Sequence, residues 1–338
     1  MRCSPPWAVR PQPELVSMAT TPSPLNDNSN RDGTDGWCIP MTRATNDWAA
    51  SVPFARKFGR APLTPHHPDA LINDVIYDRM VDPNWSVLQR TFVDKETAKA
   101  EAQRRFPTLH VPETLAVMPV ETLTSPEELF DRLHPYIDTD AVAKPTHASG
   151  GVVFLRDLVD PVALRGLYDL ASIDYAAILR EMQYWRLPRK IIVETLIPAH
   201  RSGPPDDYKF HCIHGEPLLC QIDHGRFEHP WSRLFHVPQF DAMDESDGLT
   251  APNGFAMATR DRLDTMIAAA RALSAPFEFV RIDLYDGRDG IYFGELTFTP
   301  AASLGIAPSS AGVHRETATH HIYSRTLMDA LRKAWKAI

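Results

Sequence analysis

The chain has 338 residues, is 43% hydrophobic and 23% charged, and carries a formal net charge of −8. That length supports a large core in two or three lobes, and the acidic balance argues against a general nucleic-acid binder, which needs a basic stripe. No run of about 18 apolar residues marks a membrane span, and four cysteines (Cys3, Cys38, Cys212, Cys220) offer no disulfide framework, so a reducing, cytoplasmic setting is expected.

In chain order, residues 1–68 hold eleven of the 30 prolines, with a polar tract over 20–35. Such composition buries too little apolar surface to order itself. Residues 1–45 are therefore expected to be a disordered tail, and Met18 an alternative start that the intact mass of the native protein would reveal. Residues 46–108 follow as a small helical region, with apolar residues at helical spacing from Leu71 to Leu88 and a helix over 94–106. Residues 109–197 are expected to form one subdomain. It contains a strand over 109–117, then a helix capped by Ser125 with Pro126 at its first position, ending near His134. A strand at 142–145 feeds a small-residue loop, and a return strand follows at 152–155. After one or two helices over 161–185 comes the apolar strand 190–197, which encloses Glu194. Residues 198–338 are expected to form the second subdomain: a hairpin over 210–222, a helix over 259–273, a second hairpin over 280–300 and a closing helix over 315–338. Strands and helices do not alternate tightly, so the class is α+β with largely antiparallel sheets.

The late hairpin carries the most chemistry. If Gly287 pairs with Ile291, a three-residue turn sets Asp283 directly opposite Glu295. Like charges so placed destabilise a sheet, unless they share a proton or hold a cation. A hard oxygen pair suits Mg²⁺ with phosphates completing its shell, which points to nucleotide chemistry.

Lys144 stands at the root of the loop 147–151, His-Ala-Ser-Gly-Gly, whose small residues let backbone N–H groups approach an anion. The spacing is not that of a P-loop, and an ordinary hairpin turn with a surface lysine is the plain alternative. Glu194 is costly inside an apolar strand unless paired or poised for a ligand such as an adenine amino group; otherwise it belongs on an edge strand facing water. In the middle hairpin, a turn at Gly215-Glu216 sets Lys209 opposite Ile222, Asp207 opposite His224 and Cys220 opposite His211. Lys209 and nearby Arg226 then suit a phosphate, or merely a solvated face. Four zinc ligands cannot converge from both faces of that hairpin, and no nucleophile elbow is present.

These features resemble the ATP-grasp superfamily, and the phrases FVDKETAK (92–99), VAKPTHASGG (142–151), IIVETLI (191–197), DYKFHCIHGEP (207–217) and RIDLYDGRDGIYFGELTFTP (281–300) resemble its TupA-like, teichuronopeptide-biosynthesis branch. The resemblance covers about 66–325. It implies two α+β subdomains gripping ATP between antiparallel sheets. It also implies phosphate contacts from Lys99 and Lys144 and closure of the loop containing His147, Ser149, Gly150 and Gly151. Adenine would be held by Glu194 and the backbone of Thr195, Leu196 and Ile197, and the ribose by Asp207. Mg²⁺ would be held by Asp283 and Glu295. Thr297 stands where many relatives carry a stronger Asn ligand. Lys209, Arg226 and Arg281 would steady the transferred phosphoryl group. Only about 50 ordered residues precede Asp94, too few for the usual N-terminal lobe.

The implied activity is an ATP-dependent carboxylate–amine ligase working through an acyl phosphate. Its substrates would be an amino acid, a peptide or a uronic-acid glycan, in surface-polymer or secondary-metabolite assembly. The alternatives are a small-molecule kinase on the same scaffold and a non-catalytic nucleotide-binding module. The oligomeric state is left open.

Overall fold

The computed structural model describes residues 40–156, 158–200, 203–225, 231–243, 255–305 and 318–337. Residues 1–39 of the expected tail lie outside them. From Arg43 onward the chain is helical, beyond what Pro53 in the sequence encourages. Helix α1 (Arg43–Phe58) starts at a Thr42/Thr45 capping box, keeps Pro53 inside, and ends on left-handed Gly59 at φ 67°. Helices α2 (Ile72–Val81), α3 (Val87–Val93) and α4 (Ala98–Arg105) complete the N-terminal region. The helix expected over 94–106 is thus shorter at its start.

Strand β1 (Thr114–Pro119) begins later than expected. Residue 112 is a proline and has no N–H for a ladder. Upstream of it, His110 bridges the late hairpin instead, donating to Ile291 O (2.9 Å) and accepting from Phe293 N (2.8 Å). Helix α5 (Pro126–Leu133) is capped by the Ser125 hydroxyl, which accepts from Glu128 N. Strands β2 (Ala141–Pro145) and β3 (Val153–Phe154), helices α6 (Arg165–Ser172) and α7 (Tyr175–Leu179), and strand β4 (Lys190–Thr195) follow. These four strands form an antiparallel sheet in the order β1-β4-β2-β3. Ala141, Ala143, Ile191 and Val193 pack under α5 and α6 with Leu129, Leu133 and Leu167. By strand alternation, Val142, Lys144, Lys190, Ile192 and Glu194 occupy the other face.

The second sheet runs β10-β9-β5-β6-β7-β8, antiparallel throughout. Its strands are β5 (Asp207–Ile213), β6 (Glu216–His224), β7 (Trp231–His236), β8 (Asp241–Ala242), β9 (Phe279–Gly287) and β10 (Gly290–Thr297). Helix α8 (Arg260–Ser274) precedes β9, and α9 (Ala318–Trp335) closes the chain. Tyr208, Phe210, Cys212, Ile282 and Leu284 pack with Leu263, Met266 and Leu273 of α8 in the largest apolar cluster. A further cluster joins Ile213 and Phe279 to Tyr323, Leu327 and Leu331 of α9 and to Ile72 and Ile76 of α2. The fold is α+β with two antiparallel sheets, as expected.

Both hairpins differ from the expected register, and each is reset by a bulge. The middle hairpin turns at His214 (φ 45°) and Gly215 (φ 83°), so Ile213 pairs with Glu216. Two positive-φ residues match the right-handed twist of flanking strands. Beyond a register shift between His211 and Cys212, Lys209 faces Gln221, Asp207 faces Asp223 and Cys220 faces Phe210. His211 and the two cysteines lie on opposite sheet faces, since Cys212 and Cys220 join the α8 core while His211 hydrogen-bonds Tyr323 of α9.

Candidate active site

The late hairpin pairs Gly287 with Gly290, so its turn is Arg288-Asp289, one residue tighter than expected. That register alone would set Asp283 opposite Gly294. A bulge between Phe293 and Glu295 restores the opposition of Asp283 and Glu295. Gly294 lies at the bulge, where a β-carbon would stand 2.7 Å from the Tyr285 ring and 2.8 Å from Asp283 O. Only a glycine admits that approach.

Strand alternation brings Asp207, Lys209, Asp223, Arg281, Asp283, Glu295 and Thr297 together on the sheet face away from α8. Lys209 Nζ contacts Asp207 and lies 3.2 Å from Asp223 and 3.5 Å from Asp283. Burial opposes its charge, but these three carboxylates raise its pKa above that of an ordinary lysine. Arg281 grips Asp283 bidentately, Nε to Oδ1 and Nη2 to Oδ2 at 2.7 Å each, and reaches Thr297 Oγ1 at 3.2 Å and Glu295 at 3.5 Å. Asp207 is only 3% exposed and sits against Lys209.

Glu295 differs from its neighbours. Its side chain keeps 39% exposure, and its contacts with Arg281 (3.5 Å) and the Thr297 hydroxyl (3.3 Å) are long. Burial pushes its pKa up, but Lys95, Arg281, Lys209 and Lys144 outweigh this and bring it down to about 2. Glu295 is therefore ionised with acceptor capacity to spare. Among the described residues no group of three or more His, Cys, Asp or Glu is arranged to hold a metal. The protein contributes two facing carboxylates and a hydroxyl, a set that fits Mg²⁺, which takes one or two carboxylates and completes its shell from phosphates and water.

Opposite this floor lies the loop of the first sheet. Gly150 (φ 84°) and Gly151 (φ 68°) are left-handed, and Ser149 and Gly150 are exposed. Tyr175 holds the loop through Ser149. His147 is turned into the protein. It is 3% exposed, with Nε2 3.1 Å from Ala171 O and Nδ1 accepting from Lys190 N at 3.4 Å. Burial lowers its pKa to about 4, so it remains neutral and anchors the loop.

Glu194 lies on the central strand β4, 4% exposed, which rules out an edge position facing water. Lys144 and Lys99 (2.7 Å) clamp it from two sides. Burial pushes Glu194 up, yet the two lysines hold it below the usual carboxylate range. Lys99 also donates to Pro112 O (3.0 Å) and Thr114 Oγ1 (2.9 Å). Lys99 is thus pinned between Glu194 and the start of β1. Lys144, 20% exposed, stays at the mouth. Thr195 N and Leu196 N already donate to Glu113 O (3.0 Å) and Asp140 O (2.8 Å), so of the expected adenine-binding stretch only the Ile197 amide lacks a hydrogen-bond partner among the described residues. Arg226 lies outside the described residues.

Lys95 was not singled out in the sequence, although it stands in the same FVDKETAK phrase as Lys99. Its Nζ donates to Ala148 O in the loop (2.7 Å), and it is close enough to Glu295 for each to act on the other's ionisation. Burial lowers the Lys95 pKa, with Glu295 acting in the opposite sense. It thus links the loop to the carboxylate floor.

Comparison with solved structures finds an ATP-grasp ligase PsnB bound to a minimal precursor (15% identity, 73% of this chain and 62% of that chain, TM-score 0.35). It also finds VanG D-Ala:D-Ser ligase from Enterococcus faecalis (14%, 73% and 63%, 0.41) and an ADP complex of purK, N5-carboxyaminoimidazole ribonucleotide synthetase (18%, 73% and 54%, 0.40). This chain thus spans less than two thirds of each of those chains. No curated protein matches it. The profile of the TupA-like ATP-grasp family matches residues 120–308, more than half of the chain, with all of the second sheet and three of the four strands of the first. This chain belongs to the TupA-like ATP-grasp family.

Proposed function

We propose that this protein is an ATP-dependent carboxylate–amine ligase. The observation that carries the reading is the pairing of Asp283 with Glu295 across a bulged hairpin, facing Lys95 and Lys144 beneath a left-handed glycine loop. Anionic oxygens on one side and lysines on the other suit a triphosphate carried with Mg²⁺. When bound, that ion would neutralise charge spreading over the transferred phosphoryl oxygens. Asp283, Glu295 and Thr297 would hold it.

Lys144 and Lys95 would meet the phosphates, with Ser149, Gly150 and Gly151 closing over them. Glu194 would act indirectly by positioning Lys144, and adenine would rest against the backbone near Ile197. Lys209 and Arg281 hold the floor carboxylates in place and add positive charge beneath the reacting group. A substrate carboxylate oxygen attacks the γ-phosphorus and ADP leaves, giving an acyl phosphate. An amine then attacks the acyl carbon and phosphate leaves with the bonding pair, giving an amide. No protein nucleophile is needed. The acid is proposed to be an amino acid, peptide or uronic-acid unit, with ATP and Mg²⁺ as cofactors in a cytoplasmic setting.

The test is a panel of acids and amines assayed for ADP and phosphate release, with product masses. Hydroxylamine added to a productive acid should give its hydroxamate. ADP release with phosphoryl transfer to a hydroxyl and no hydroxamate would assign a kinase instead. ATP binding without turnover across the panel would favour a binding module.

A further inference from the structure

Away from the two sheets, the N-terminal helices and the segment after α7 border an open cavity of about 750 Å³. Its walls include Met41, Arg43, Trp85, Arg90, Trp185 and Arg186. In a chain of net charge −8, three guanidinium groups gather here, and among the described residues only one of them is paired with an acid. Arg43 is satisfied, paired to Asp78. Arg90 donates only to backbone carbonyls, Trp85 O at 3.2 Å and Trp185 O at 2.6 Å. Arg186 is exposed, and its guanidinium lies over the Trp185 indole, 4.1 Å from the ring centre. Arg180, just behind Met41, is 6% exposed and donates to Asn46 Oδ1 (3.2 Å) and Met41 Sδ (2.9 Å). Among the described residues, none of these three has a carboxylate partner.

Positive charges held together in partly desolvated surroundings raise the free energy of the unliganded protein. Burial and the neighbouring Arg186 both push the Arg90 pKa down, the mark of cations lacking a counter-charge. A forked guanidinium matches a carboxylate bidentately. The rest of the wall sets the apolar Met41, the residue-83 proline and the two indoles beside the polar Thr42, Asn84 and Ser86. That combination suits carboxylates borne on short apolar stems better than a bare phosphate. The volume falls within the roughly 300–1,000 Å³ usual for small-ligand sites.

We propose that this cavity binds a ligand bearing two or more carboxylates on short apolar stems, with Arg90 and Arg186 as its anion forks. The proposal is independent of the ligase reading, because it concerns binding alone. It has a structural link to the hairpin: Trp85 packs edge-on against Phe298, the residue after Thr297, at 5.6 Å between ring centres.

Isothermal titration of the full chain, without nucleotide, with triglutamate, glutarate, triglutamine and pyrophosphate tests it. Triglutamate should bind, more weakly as salt is raised. Equal binding of glutarate would identify a free dicarboxylate as sufficient; weaker binding would identify a peptide segment. Arg186→Gln, at an exposed position, should lower triglutamate affinity about tenfold or more without changing the melting temperature. Arg90→Gln should lower the affinity as well, with some loss of stability because Arg90 also donates to the Trp85 and Trp185 carbonyls, and serves as the second variant. Four results overturn the proposal: no triglutamate binding, equal binding of triglutamine, equal or tighter binding of pyrophosphate, or unchanged affinity in Arg186→Gln.

Discussion

Replacing Gly294 by alanine tests the origin of the carboxylate pair. The new β-carbon would stand 2.8 Å from Asp283 O and 2.7 Å from Tyr285 Cε2. The tyrosine ring can swing aside, but the carbonyl belongs to a strand paired on both sides, with β5 and β10. Relief must come from β10, by loosening or losing the bulge. Overpacking of this kind costs about 1–3 kcal/mol, which lowers the melting temperature by several degrees. Catalysis should suffer more, because loss of the bulge sets Asp283 opposite residue 294 and turns Glu295 away from the shared face. A misplacement of about 1 Å can cost about 100-fold in rate. The assay is thermal melting alongside ADP release with the acid–amine pair found by screening. Gly305→Ala is the control, since nothing lies within 4 Å of its added carbon. If Gly294→Ala melts and turns over like Gly305→Ala, the bulge does not set the site.

Glu295→Gln should lose about 100-fold or more in Mg²⁺-dependent turnover, yet stay within about 1 kcal/mol of wild-type stability because the side chain is part-exposed; wild-type rates at ordinary Mg²⁺ would refute its metal role. Lys99→Met should remove about 3–5 kcal/mol of stability in urea unfolding by stripping a partner from buried Glu194, while the folded fraction keeps its ATP affinity; weaker ATP binding at unchanged stability would support the phosphate role. Lys95→Ala should raise the ATP concentration needed for half-maximal turnover and loosen the 147–151 loop in hydrogen exchange; no change in either would remove Lys95 from the site. Burial lowers the pKa values of His147, His211 and His320 to about 4, 3 and 4. The unfolded chain takes up these protons below about pH 6.5 and the folded chain does not, so stability should fall as pH drops from 6.5 towards 4, by roughly 1 kcal/mol per histidine per pH unit. A flat urea midpoint from pH 7 to 5 would contradict this.

Much of the fold follows from local signals that the structure repeats. Ser125-Pro126 starts a helix, alternation along β4 separates Ile191 and Val193 from Ile192 and Glu194, and the α8 and α9 stripes pack as their spacing requires. What escaped were features set by pairing across strands. The opposition of Asp283 and Glu295 was legible, but by a wider turn than the real one; a tight turn and a bulge give the same alignment and cannot be told apart by counting residues. The same ambiguity misplaced the partners of Lys209, whose Asp283 and Asp223 contacts arise from two different neighbouring strands. The pinning of Lys99 was not legible, because a lysine's contacts depend on carbonyls such as Pro112 O that sequence spacing does not locate. Lys95 was missed for the mirror reason: what marks it is proximity to Ala148 and Glu295, more than 50 and 190 residues away in the chain.

The ion pairs on the two sheets also have a consequence for how the protein opens. Around Glu194 the formal charges of Lys95, Lys99, Lys144 and Lys190, set against Glu194, Asp94 and Glu96, leave a surplus of one positive; around Lys209 and Arg281 the four carboxylates leave a surplus of two negative. The halves of the clasp therefore attract each other before any nucleotide arrives, and an incoming polyanion must compete with the floor for the lysines unless a dication travels with it. Concentrated salt should relax the clasp, seen as a larger radius of gyration in X-ray scattering, whereas ATP without a divalent metal should enter poorly.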